Sequence, residues 1–179
     1  MKEQSTIGRI IKTALWMALV FLVTLSVRIP SPIGGYIHIA DALVLLGAWL
    51  LGPIEGLIAA GLGSAFADFY SGAALFAPGS LVIKALMAVI AWFVFKILPG
   101  KRMHPAVRRL IAAIIAELWM VAGYYVYEII VLGPSAVLAV PGNFVQAGVS
   151  VVFVMILTAA LSIIGPFRKA LSGDKESIK

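Results

Sequence analysis

Apolar residues fall in six long runs, at about residues 7–27, 37–51, 54–69, 78–98, 107–132 and 142–164. Five of the runs are followed by a breaking pair: Gly52-Pro53, Ser71-Gly72, Pro99-Gly100, Gly133-Pro134 and Gly165-Pro166. Such pairs suit helix ends, because proline cannot continue a helix and glycine tolerates the turn that follows one. No run shows the period-two alternation of a membrane-barrel strand. The pattern predicts an all-α membrane protein, a bundle of six transmembrane helices forming one integral membrane domain over residues 1–179. The second and third runs are short. Fifteen helical residues span about 22 Å, against a hydrocarbon core of about 30 Å. Four spans is therefore the alternative to six, and either even number puts both termini on the same side.

Composition supports the membrane assignment. Of 179 residues, 62% are hydrophobic and 12% are charged, and the mean hydropathy is +1.07. A soluble domain carries about twice that share of charge. The absence of cysteine excludes disulfides, thiolate chemistry and iron–sulfur clusters. His38 and His104 stand far apart with no ligand-type spacing around them, so no metal site and no cofactor are expected.

The net charge of +6 acquires meaning from its placement. Twelve of the fourteen Lys and Arg residues precede or open the first run, flank the turn between the fourth and fifth, or follow the sixth. The positive-inside rule makes that face cytoplasmic, with both termini on it. Arg28 is then the lone cation of an outer loop, and Lys84 the lone cation inside a span. The basic balance gives no reason to expect nucleic acid. No cleavage site follows the first run, so a removed signal peptide is not expected.

In this topology the other polar side chains gather in the outer half of the membrane. His38 and Asp41 open the second span, Asp68 and Tyr70 end the third, and Ser80 and Lys84 begin the fourth. Tyr124, Tyr125, Tyr127 and Glu128 lie in the outer half of the fifth, and Asn143 and Gln146 begin the sixth. Glu117 alone lies near the midplane. The distribution describes a cup open outward and sealed below, not a channel, which needs polar groups at every depth. Lys84 alone in lipid would cost about 2.5–3.5 kcal/mol. It is expected to face the bundle and pair with Glu128 or Glu117, either as a ligand contact or as an ion pair joining two spans. Glu117, Tyr124 and Glu128 share one helical stripe. Trp119 is too deep for an interfacial belt and is either core or a stacking plate. Asp41 could cap its helix or pair with His38. Helix starts at Pro78-Gly79-Ser80 and Pro141-Gly142-Asn143 turn backbone N–H groups toward the cup, for capping or for a polar ligand. The segment from Arg28 to Tyr36, with two prolines and Gly34-Gly35, suits a lid or a plain connection. The candidate substrate-binding residues are Lys84, Trp119, Tyr124, Glu128, Asn143, Gln146, His38 and Asp68.

Small residues mark close helix contacts. Ala14 and Ala18 form an Ala-x-x-x-Ala pair on the first span; from spacing alone, packing inside the chain is favoured over a partner. Gly52, Gly56, Ala60 and Ser64, and Ala59, Gly63 and Ala67, step by four along the third, which is expected at the bundle's centre. Gly61-Leu62-Gly63-Ser64-Ala65 has the look of a nucleophile turn, but no histidine in a span core could serve as its base.

These features together resemble the S component, the substrate-binding membrane subunit, of an energy-coupling factor (ECF) vitamin transporter. The resemblance runs nearly the whole chain: Ala14-x-x-x-Ala18, the stretch from Ile29-Pro30-Ser31-Pro32 through Gly34-Gly35-Tyr36-Ile37-His38 to Asp41, Leu51-Gly52-Pro53, Gly63-Ser64-Ala65 with Asp68, and Ala77-Pro78 with Lys84. It implies a non-enzymatic subunit in a bacterial cell membrane that captures a micronutrient from outside. It further implies docking through Ala14 and Ala18 on a membrane coupling protein (the T component), with two cytoplasmic ATPases driving release. The chain itself has no phosphate-binding Gly-x-x-x-x-Gly-Lys-Ser/Thr loop. The Gly-Gly-Tyr-Ile-His and Ala-Pro stretches are most similar to members assigned to hydroxymethylpyrimidine or pyridoxine-type ligands, with pantothenate or thiamine as other vitamins of the class. A stand-alone secondary transporter, a membrane enzyme using Glu117 and Asp68, and a ligand-free assembly factor are the competing readings.

Overall fold

The computed structural model of the chain describes residues 6–31, 36–100 and 102–172. Pro32, Gly34 and Gly35 of the expected lid, and the expected cytoplasmic charges Lys2, Lys101, Lys175 and Lys179, lie outside these residues. The fold is helical. In chain order it comprises α1 (Thr6–Ser26), strands β1 (Ile29–Pro30) and β2 (Tyr36–Ile37), α2 (Asp41–Leu51), α3 (Pro53–Tyr70), α4 (Ala77–Ile97) and α5 (Pro105–Leu132). A 3-10 helix (Gly133–Ala139) then leads into α6 (Val140–Leu161), and α7 (Gly165–Ser172) follows. Among the described residues three helical stretches are long and apolar enough to cross a membrane: Thr6–Ser26, Ala77–Ile97 and the joined Pro105–Leu161.

The centre belongs to α2. Eight of its eleven residues are buried, Asp41 among them. At 1.5 Å per residue it is about 16 Å long, roughly half the thickness of a bilayer core. Its chain turns back at Gly52, whose φ of +99° only glycine adopts at low cost, and Pro53 begins α3. α3 shares the centre, packing on α4, α1 and α2. Its small residues permit this approach. A Cβ on Gly61 would lie 2.7 Å from the Leu81 carbonyl oxygen of α4, and one on Gly63 2.8 Å from the Met17 carbonyl oxygen of α1.

α1 lies on the outside and buries only Val20 and Thr24. It is held by Trp16, whose indole N–H donates to the Leu43 carbonyl at 2.9 Å, and by Arg9, whose Nε donates to Glu55 at 2.6 Å. Ala14 and Ala18 stand two residues from the Trp16–Val20–Thr24 row, about 200° round the helix. They are exposed beside Ile7, Ile11, Leu15 and Leu22. The internal packing expected of this pair is thus corrected: the inward row carries the larger residues, and the alanines face away.

The end of the bundle opposite β1 and β2 also departs from expectation. Arg108 and Arg109 are buried, not rim residues. Arg108 Nη2 donates to the Phe95 carbonyl in the last turn of α4 at 2.5 Å and lies over the Phe95 ring. Arg109 Nη1 donates to the Leu171 carbonyl of α7 at 2.5 Å. Each guanidinium thereby satisfies a carbonyl that a helix end leaves without a partner. Gly165-Pro166 opens α7 rather than merely closing the sixth run, and Leu171 packs that helix into the core.

Candidate functional site

β1 pairs antiparallel with β2, Ile29 opposite Ile37 and Pro30 opposite Tyr36. β2 then leads down to the short α2. A strand carries alternate side chains to the same face, but the approach here is close enough for three consecutive residues, Tyr36, Ile37 and His38, to line one cavity. Asp68 of α3, Ser80 of α4, Tyr124 and Glu128 of α5, and Asn143 and Gln146 of α6 supply the other walls, with Ser31, Ala73 and Phe76 at the rim. The cavity itself is small, about 40 Å³, and opens outward into a wider cleft.

Its floor is a closed set of polar contacts. Lys84 Nζ donates to Asp41 Oδ1 at 2.6 Å. Gln146 Nε2 donates to Asp41 Oδ2 at 2.7 Å, and Gln146 Oε1 accepts from the His38 backbone N–H at 2.9 Å. Three helices are joined through the Asp41 carboxylate, and the Gln146 amide ties the β2–α2 link to the same set. Lys84 therefore pairs with Asp41, not with Glu128 or Glu117 as expected. The reason is depth: α2 begins inside the bundle, so its first residue meets the second turn of α4. Asp41 consequently caps nothing, and the His38 ring nitrogen Nδ1 accepts the Ala40 N–H instead, at 3.2 Å. His104 does the same for Ala106 at the start of α5, also at 3.2 Å. Among the described residues no cluster of potential metal ligands occurs.

One wall is latched. The Tyr36 hydroxyl donates to Asp68 Oδ1 at 2.7 Å, Ser71 Oγ donates to the Tyr36 oxygen at 3.2 Å, and Arg28 lies over the Tyr36 ring. Ser80 and Tyr124 share a hydrogen bond at 2.7 Å. Other polar atoms have no partner. Asp68 Oδ2, Glu128 Oε2 and Asn143 Nδ2 are buried at the cavity without a hydrogen bond. Buried polar groups are rarely left so, because each unmade bond costs about 1–3 kcal/mol. Two acceptors and one donor at the cavity are thus left without a partner in the protein.

Of the sequence-derived candidates, the cavity brings together His38, Asp68, Tyr124, Glu128, Asn143 and Gln146. Lys84 sits sealed beneath it, with no exposed side-chain surface. Trp119 is on the outer surface of α5, its indole N–H donating to the Ile83 carbonyl at 3.1 Å. The stripe that turns Glu117, Tyr124 and Glu128 inward turns Trp119 outward, which corrects its part as a stacking plate. Tyr36 received no role from sequence, although its spacing of two from His38 would carry both to one face of a strand. The helix start at Pro141 is not open either. The 3-10 helix runs into it, and the Val140 N–H is already bonded to Val137. The Tyr127 hydroxyl donates to the Leu75 carbonyl at 2.7 Å.

Residues 4–163 match the family model described as ECF-type riboflavin transporter, S component. An uncharacterized protein in the gap 3′ region of Pyrococcus woesei is 36% identical over 135 residues, covering 73% of this chain and 85% of that protein. The S component of a bacterial ECF transporter, solved with a view to its structure and mechanism, superposes with a TM-score of 0.72 at 20% identity, over 89% of this chain and 98% of that one. That likeness establishes a shared fold. The matched family spans nearly all of the helical body described above, and the chain belongs to it: the S components of ECF-type riboflavin transporters.

Proposed function

We propose that this chain captures a flat heteroaromatic micronutrient with hydroxyl groups and passes it to an ATP-driven importer of the energy-coupling factor kind. One observation carries the reading: a cavity between β2, α3, α5 and α6 with three unpartnered buried polar atoms, above a floor closed by the Lys84–Asp41–Gln146 contacts. A site so built can bind and hold a small polar molecule. Membership of the family implies a coupling protein and ATPases as partners. The outward face of α1, with Ala14 and Ala18, is the surface assigned to docking, because close helix contacts favour small residues.

In this reading the chain crosses six times, the descent through β2 and the short α2 together making the second crossing and α3 returning from the tight Gly52 turn, in a single domain whose termini are cytoplasmic. The cavity then opens to the exterior. Riboflavin, named in the family description, is the first ligand to test, followed by hydroxymethylpyrimidine and pyridoxine. Tyr36 and His38, with ring centres 5.9 Å apart, supply flat surface at the wall, and Glu128, Asn143 and Asp68 supply hydrogen bonds.

The test is uptake into proteoliposomes. With coupling protein, ATPases and ATP present, labelled nutrient accumulates inside; with the chain alone it binds but does not accumulate. Accumulation by the chain alone, driven by an ion gradient, would favour a secondary transporter instead.

A further inference from the structure

The charges around the cavity are unbalanced in a way that bears on what can enter. Two carboxylates face it, Asp68 and Glu128, each with about one-twentieth of its surface exposed. Among the described residues no lysine or arginine lines it. The cation nearest beneath, Lys84, has its charge answered by Asp41 at 2.6 Å and lies under the floor. Arg28 is exposed and lies 5.3 Å over the Tyr36 ring. The unmade bonds point the same way: Asp68 Oδ2 and Glu128 Oε2 need donors, and Asn143 Nδ2 needs one acceptor.

We propose that the cavity sorts nutrients by charge, admitting neutral or cationic molecules with at least two N–H or O–H donors and one acceptor, and rejecting phosphorylated or carboxylate forms. The inference rests on the nutrient-capture reading and narrows it. A phosphate or carboxylate entering this space meets two buried carboxylates and no compensating cation, so it loses its hydration without gaining a partner. A hydroxyl or ring N–H loses hydration equally but gains a charge-assisted hydrogen bond. Discrimination comes from the repulsive element as much as from the attractive one. Among the vitamins of the class, pantothenate, a carboxylate, falls on the rejected side. Glu128 and Asp68 are the specificity-determining residues.

The experiment uses matched pairs on the full chain in lipid nanodiscs: riboflavin and its 5′-phosphate, pyridoxine and its 5′-phosphate, hydroxymethylpyrimidine and its monophosphate. Equilibrium binding is measured for each. The parent of the binding pair is expected to bind about 100-fold or more tighter than its phosphate. Glu128→Gln, checked by an unchanged unfolding temperature, is expected to narrow that ratio about tenfold, and Asp68→Asn to narrow it independently. A phosphate that binds within about threefold of its parent overturns the charge selection while leaving nutrient capture intact. A ratio unmoved by both substitutions overturns the assignment to Asp68 and Glu128. Binding by neither member of any pair counts against the capture reading itself, and with it the inference.

Discussion

The Lys84 ammonium lies 2.6 Å from Asp41 Oδ1, and neither side chain is exposed at all. A buried pair of this kind rarely adds stability over a well-packed apolar pair, yet removing one partner strands the other charge, at about 3–5 kcal/mol. Its effect here is to fix depth and register. It ties the start of α2 to the second turn of α4, and Gln146 adds α6 to the same carboxylate.

Lys84→Met is accordingly predicted to destabilise the folded chain by about 3–5 kcal/mol, because Asp41 keeps its charge and loses its cation. Asp41→Asn combined with Lys84→Met should recover most of that loss, since no charge is left uncompensated. Unfolding in mild detergent, followed by circular dichroism, measures both. Equal instability of the single and double variants would contradict the account of the floor.

Tyr36→Phe removes the hydroxyl that joins β2 to Asp68. A hydrogen bond to a charged group contributes about 1.5–3 kcal/mol, so ligand dissociation should quicken about tenfold or more. Stopped-flow release of a bound nutrient reads this directly. An unchanged release rate would mean that the β2 wall does not retain the ligand.

Gly63→Ala should loosen the seam between α1 and α3, because the added methyl would meet the Met17 carbonyl at 2.8 Å and neither backbone can yield without moving a helix. The expected cost is about 1–3 kcal/mol. Gly148→Ala is the control, since a Cβ there meets nothing within 4 Å. Thermal denaturation of the two variants side by side decides it; equal behaviour would argue against close packing at Gly63.

Ala14→Trp with Ala18→Trp places two large side chains on the outward face of α1, which touches nothing in the bundle's core. Ligand binding should be unchanged, and co-purification with the coupling protein should be lost. Retained co-purification would move docking to another surface.

Much of this architecture could be read from residue order. In an apolar chain the scarce polar residues have few places to go, so Tyr124, Glu128, Asn143, Gln146, His38 and Asp68 could be drawn to one cavity before any geometry was known. The partner of Lys84 was less legible. Asp41, Glu117 and Glu128 are all acids near the expected depth, and the choice depends on how far β2 carries the chain into the bundle before α2 begins. Hydropathy cannot report that descent. Trp119 illustrates a different limit: in a helix apolar on every side, only angular position relative to a known inward residue separates core from lipid-facing surface. Two residues from Glu117 is about 200°, and that angle outweighs the suitability of an indole for stacking. Arg108 and Arg109 were hidden for a related reason. A charge near a span's end suggests a wet rim, whereas here each guanidinium turns inward to a helix carbonyl.

The most direct test of the central claim is native mass spectrometry of the chain released from membranes without added ligand. A single small-molecule adduct of nutrient mass per chain is predicted on the native protein, and its loss from Asn143→Leu and from Glu128→Leu at preserved folding. An adduct retained by both variants, or bound lipid as the sole adduct, would contradict a nutrient held at this cavity.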